Sequence, residues 1–156
     1  MALSSPPPLL LARELAPLLT DLNWGIGGSL LLYHLKLVAI PHDLDIVTTP
    51  EDFPELQKRL TAFLSAPVQI GHPTYASTHF SRFTSQHGVN LDVMAGIRVR
   101  TSTGFKSWEF DPHTISVENE LPWMQAQDWL ELYELFDRSE RATVLRDYLS
   151  IARRRP

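Results

Sequence analysis

Apolar residues along the chain fall into short blocks whose spacing changes several times. Leu9, Leu10, Ala12, Leu15, Leu18 and Leu19 follow helical spacing. Pro6-Pro7-Pro8 is placed to start that helix near Leu9 rather than lie inside it, and Pro17 to kink or restart it. Residues 23–26 read as a short buried strand, Gly27-Gly28 as a break, and residues 29–35 as a helix opening immediately after it. Leu44, Ile46 and Val47 around Asp43 and Asp45 predict the next strand. Thr49-Pro50-Glu51-Asp52 joins a capping hydroxyl, a proline and two acids, and predicts a helix running to about Leu64. Strand patterns follow at 68–70, 78–84, 89–95 and 97–101, with a further one around Trp108-Glu109-Phe110. Trp129, Leu132, Tyr133 and Phe136 then recur at i, i+3, i+4 and i+7, and Val144, Leu145, Tyr148 and Leu149 mark a second helix after Asp137. This order predicts an α/β (α+β) fold with a mixed sheet.

Length adds that 156 residues suit one domain, with a core over about residues 9–110 and a helical C-terminal part over about 125–152. The longest apolar run, Leu30-Leu31-Leu32-Tyr33, is too short to span a bilayer, and no Lys or Arg precedes Leu9-Leu10-Leu11 as in a secretory leader. A cytoplasmic protein without membrane partners is therefore expected. The absence of cysteine removes thiolate nucleophiles and cysteine-held metals. A net charge of −4 supplies no global basic field for nucleic acid. Six of the fourteen Lys and Arg residues nevertheless lie from Arg138 onward, where they read as a solvated helix end or as a phosphate-binding patch.

Three features carry chemistry. Asp43 and Asp45 are two apart, so in a strand they project to one face, and Asp92 on a neighbouring strand would bring a third acid there. Clustered carboxylates repel, and a divalent cation is the usual remedy; oxygen-only ligands suit Mg²⁺. Taken singly, Asp43 would be a turn residue and Asp92 an edge charge. Gly27-Gly28-Ser29, separated from Asp43 by thirteen intervening residues, forms the remaining part. Glycines let a backbone approach a ligand, and the helix opening at Ser29 presents free N–H groups to phosphate. The Ser29 hydroxyl would add a donor or cap the helix. The segment is neither a Walker loop nor a dinucleotide fingerprint.

Trp24-Gly25-Ile26-Gly27-Gly28-Ser29, Asp43-Leu44-Asp45-Ile46-Val47 and Asp92 together resemble the signature of the nucleotidyltransferase superfamily. Their small frame is closest to minimal bacterial members, including the lincosamide and aminoglycoside nucleotidyltransferases. The resemblance implies a mixed sheet flanked by helices, with C-terminal helices. It implies that Gly27, Gly28 and Ser29 hold the triphosphate of a nucleotide such as ATP. It further implies that Asp43, Asp45 and Asp92 are catalytic and bind one or two Mg²⁺. Transfer of a nucleoside monophosphate to an acceptor hydroxyl, on a small molecule or antibiotic, is the expected reaction. The alternatives are a toxin–antitoxin type of enzyme acting on a protein or tRNA, and an inactive nucleotide-binding module. Many relatives carry an Arg before the Asp pair, where this chain has Ile40-Pro41-His42. Lys36, Arg82 or Lys106 would have to supply that charge, and His42 is positioned to touch a phosphate.

Other candidates are weaker. The histidines form no tight ligand spacing, and His34 reads as a partly buried helix residue. Glu109 would serve as a general base if the Trp108 segment reached the cleft, with Asp92 as the other choice. Trp108 and Trp123 would stack on a base or an acceptor ring, whereas Trp129 on its helical stripe reads as core. No Gly-x-Ser-x-Gly elbow supports a hydrolase. The amphipathic C-terminal helices offer a face on which two copies could pair as a homodimer.

Overall fold

The computed structural model describes residues 5–69, 71, 75–86 and 88–154. Helix α1 (Pro7–Leu15) begins two residues before Leu9, with Pro7 and Pro8 in its first turn, where a missing N–H leaves no bond unmade. Pro17 does end it: Ala16–Leu18 tightens into a 3₁₀ turn. Strand β1 (Trp24–Gly27) runs directly into α2 (Gly28–His34), and β2 (Leu44–Thr48) follows. Helix α3 (Phe53–Phe63) starts later than Pro50 because Thr49–Asp52 forms the turn that leads into it. Thr49 Oγ1 accepts from the Asp52 N–H at 3.1 Å, and the Thr49 carbonyl accepts from Phe53 N at 3.0 Å.

The second half supplies β3 (Val68–Gln69), β4 (His79–Thr84), β5 (Asn90–Ala95), β6 (Ile97–Thr101) and β7 (Gly104–Trp108). Ile70, at the end of the first of these predicted strands, lies outside the described residues, as do His72, His87 and Arg155. Only Trp108 of the Trp108-Glu109-Phe110 segment is strand, as the last residue of a hairpin. Two short strands that no alternation announces come next, β8 (Ser116–Glu118) and β9 (Leu121–Trp123). Helices α4 (Ala126–Leu135) and α5 (Ser139–Arg154) close the chain.

Seven strands form one mixed sheet in the order β3-β4-β5-β2-β1-β9-β8, and β6–β7 form a separate two-stranded sheet. β2 is central, antiparallel to β1 and parallel to β5. Its position on both partners explains why Leu44, Ile46 and Val47 are wholly buried. Helices α1 and α2 pack against β2, and one cluster of buried apolar residues runs from Leu11 through Leu56, Leu91 and Trp123 to Leu145. No helix among the described residues is long and apolar enough to cross a membrane.

Gly27 shows how tightly the C-terminal helices join the sheet. A Cβ at this position would stand 2.5–2.8 Å from three ring atoms of Trp129 on α4. Gly27→Ala is therefore expected to destabilise the fold by about 1–3 kcal/mol through overpacking. Trp129→Leu removes the clashing ring, so in urea denaturation the double variant should be more stable than the sum of the single losses, by about 0.5–3 kcal/mol.

Candidate active site

The carboxyl-terminal rim of α4, the start of α5 and the ends of β2, β4 and β5 enclose a cavity of about 220 Å³. Asp43, Asp45 and Asp92 all line it, together with Ser29 and His42. Asp43 sits one residue before β2, and Asp45 lies within it. In the sheet register Asp45 is opposite Gly27 on β1 and opposite Asp92 on β5. The parallel pairing sets Asp45 beside Asp92, and the loop leading into β2 brings Asp43 to the same cavity.

The glycine turn is filled by the protein itself. Gly28 has φ of +62°, and a Cβ on it would run into the Asp45 carboxylate. Gly27 faces the Trp129 ring. A larger residue at position 28 would displace Asp45 as well as any bound phosphate, so Gly28→Val does not isolate a phosphate role. Ser29 is 7% exposed, and its Oγ accepts from the backbone N–H of His42 at 2.9 Å. It also donates to the Asp43 carbonyl at 3.4 Å. The hydroxyl thereby fixes the loop that delivers Asp43. His42 itself is exposed at the cavity rim.

Arginines balance the acids. Arg82, cross-strand from Asp92, donates from Nε to Oδ1 at 2.7 Å and from Nη2 to Oδ2 at 2.9 Å. This two-pronged bond holds the Arg82 guanidinium above its usual range. Arg138 and Arg141 line the same cavity from the α4–α5 junction. The junction has a defined cause: Asp137 takes φ of +59°, Arg138 N donates to the Tyr133 carbonyl at 2.8 Å, and Asp137 N donates to that of Glu134 at 3.2 Å. That left-handed turn ends α4 and aims the chain so that Arg138 and, one turn on, Arg141 reach the acids. Of the three arginines, only Arg82 is placed near the acids by strand reading; the other two belong to the basic C-terminal run.

Asp45 is the most perturbed group. Desolvation pushes its pKa up to about 7, with further upward contributions from Asp92 and Asp43 that Arg141 and Arg82 oppose. Among the described residues, no group of three or more His, Cys, Asp or Glu side chains is arranged to hold a metal ion. Asp92 has both oxygens in the Arg82 fork, which leaves Asp43 and Asp45 as the freer pair.

Several expected participants lie elsewhere. Lys36 follows α2 at φ of +64°, its N–H donating to the Tyr33 carbonyl at 2.9 Å, and it does not line the cavity. Lys106 is exposed on β7. Glu109 and Trp108 border a different cleft, alongside Thr49 and Arg98. Trp123 stacks on His34 at 3.9 Å, and His34 Nε2 lies 2.8 Å from Glu118 Oε2.

Two outcomes follow. Lys36→Gly should raise stability by up to about 1 kcal/mol in urea denaturation, since glycine adopts the left-handed turn freely. For Asp45, the folded protein keeps a proton between about pH 4 and 7 that the unfolded chain releases, so stability falls as pH rises through that window. In metal-free buffer, Asp45→Asn should stabilise the protein progressively from pH 4 to 7, by on the order of 2–4 kcal/mol at the upper end, in denaturant titrations at both limits.

The architecture has counterparts among solved structures. A protein from Thermotoga maritima, described as a "putative nucleotidyltransferase", superposes with a TM-score of 0.69 at 23% identity, over 94% of this chain and 96% of that one. The aminoglycoside nucleotidyltransferase ANT(2″)-Ia, crystallised with adenylyl-2″-tobramycin, superposes with a TM-score of 0.53 at 12% identity, over 90% and 87% of the two chains. No protein-family model and no curated protein sequence matches the chain. The mixed sheet with its flanking and C-terminal helices is that of the nucleotidyltransferase fold.

Proposed function

We propose that this protein transfers a nucleoside monophosphate from a nucleoside triphosphate to an acceptor hydroxyl, with Mg²⁺ held by Asp43 and Asp45. The observation that carries this reading is a cavity lined by three aspartates and three arginines, within a fold shared with proteins named nucleotidyltransferases. Arg138 and Arg141, on the helical side of the cavity, are suited to draw in and orient the anionic phosphates. The donor set fits the cation: it is oxygen-only, and Asp45 is desolvated beside two further acids, a cost that Arg141 and Arg82 oppose only in part. When bound, Mg²⁺ would stabilise charge on the reacting phosphate and on the departing pyrophosphate. Asp43 and Asp45 fix where that charge sits, and Ser29 fixes Asp43 through the loop it holds.

A volume of about 220 Å³ is below the roughly 300–1,000 Å³ of sites that engulf a drug-sized ligand, so the cavity suits the phosphate end of the donor. The acceptor would meet the reacting phosphorus at the open rim, near His42. The adenylyl-tobramycin bound to ANT(2″)-Ia supports an acceptor that is a small polyhydroxylated molecule. A protein or tRNA acceptor is the other class to assay.

The test is a screen of four triphosphates with Mg²⁺ for thermal stabilisation, followed by pyrophosphate release in the presence of candidate acceptors. One triphosphate should stabilise the protein only with the cation present. Asp45→Asn should lower turnover by at least about a hundredfold while remaining folded, as several kcal/mol of charge stabilisation are lost. Unchanged turnover in the folded variant would remove Asp45 from the reaction.

A further inference from the structure

The Arg82–Asp92 pair is hard to reconcile with a site that gathers all three acids around cations. β4 and β5 are antiparallel, and their register sets Arg82 directly beside Asp92. Both carboxylate oxygens are taken, at 2.7 and 2.9 Å, by two nitrogens of one planar guanidinium. The Asp92 side chain is 12% exposed, whereas that of Arg82 is 40% exposed, so the acid lies behind the base as seen from solvent. A cation reaching Asp92 would have to displace a charge already neutralising it and leave a guanidinium beside the incoming positive charge. Breaking a shielded, bidentate pair by removing one partner typically costs several kcal/mol. Asp43 and Asp45 have no such partner at hydrogen-bond distance among the described residues; the contacts to Asp43 are to its backbone.

We propose that Arg82 stands where a second metal ion would otherwise sit, so that the site takes one divalent cation, on Asp43 and Asp45, with the guanidinium supplying the second positive charge. The proposal rests on the reading of Asp43 and Asp45 as the cation pair. Two of the five guanidinium N–H donors are taken by Asp92, which leaves three, and Arg82 lines the cavity, where a phosphate oxygen would accept them. Asp92 then orients Arg82 and is a positioning residue.

The stoichiometry of Mn²⁺ binding, read from the loss of the free-ion EPR signal without nucleotide, tests this on the whole protein. Wild type should saturate at one Mn²⁺ per chain. Asp92→Asn should keep that stoichiometry and change the Kd by less than about threefold, whereas Asp45→Asn should weaken it by at least about tenfold, as expected when a ligand is lost. Arg82→Gln should take up a second Mn²⁺, because Asp92 is freed. Two ions on wild type, or loss of the ion in Asp92→Asn, would overturn the proposal while leaving a metal-dependent site standing. No Mn²⁺ on wild type would overturn the cation reading beneath it as well. Since the wild-type count needs no variant, a poorly folding substitution does not spoil the test.

Discussion

A carboxylate at position 45 can be accommodated only because Gly28, at the start of α2, has no side chain. Asp45 lies in the central strand, between Gly27 on one neighbour and Asp92 on the other, and its oxygens fill the space where a Cβ of Gly28 would be. From this constraint much of the local architecture follows. β1 must turn abruptly into α2 through the positive φ of Gly28, and Ser29, the next residue, is small and buried and holds the loop before β2. The same turn lets Trp129 close on Gly27, which ties the C-terminal helices to the sheet.

The resulting cavity is a problem in charge balance. Three acids come from two adjacent strands and the loop before one of them, and three arginines come from β4 and the α4–α5 junction. The pairing is uneven. Asp92 is fully matched by Arg82, whereas Asp45 is desolvated, repelled by two acids and opposed only at a distance by Arg141 and Arg82. Such a group carries a penalty that a positive charge brought close to it would relieve.

The C-terminal helices therefore do more than cover apolar surface. Trp129, Leu130 and Leu132 bury themselves against the sheet, and the left-handed turn at Asp137 then delivers Arg138 and Arg141 to the cavity mouth. Packing and chemistry share one element, so a change in the helix–sheet seam would be felt at the acids.

The sequence by itself determined the order of elements through β6 and the two closing helices, including the strand containing Asp45 and the helix at the Gly27-Gly28 break, because apolar period and glycine breaks are local properties of the chain. It also singled out Asp43 and Asp45 by their spacing and Asp92 as an acid on a neighbouring strand, three residues that the structure sets around one cavity. It could not mark β8 and β9, whose three residues each are held by pairing with β1 and with each other rather than by alternation. Nor could it say that Lys36 holds a turn, that Glu109 borders another cleft, or that two arginines of a basic tail face the acids. Those are consequences of how distant segments pack. Strand register put Arg82 beside Asp92 and packing put Trp129 on Gly27, and neither relation is written in any local spacing.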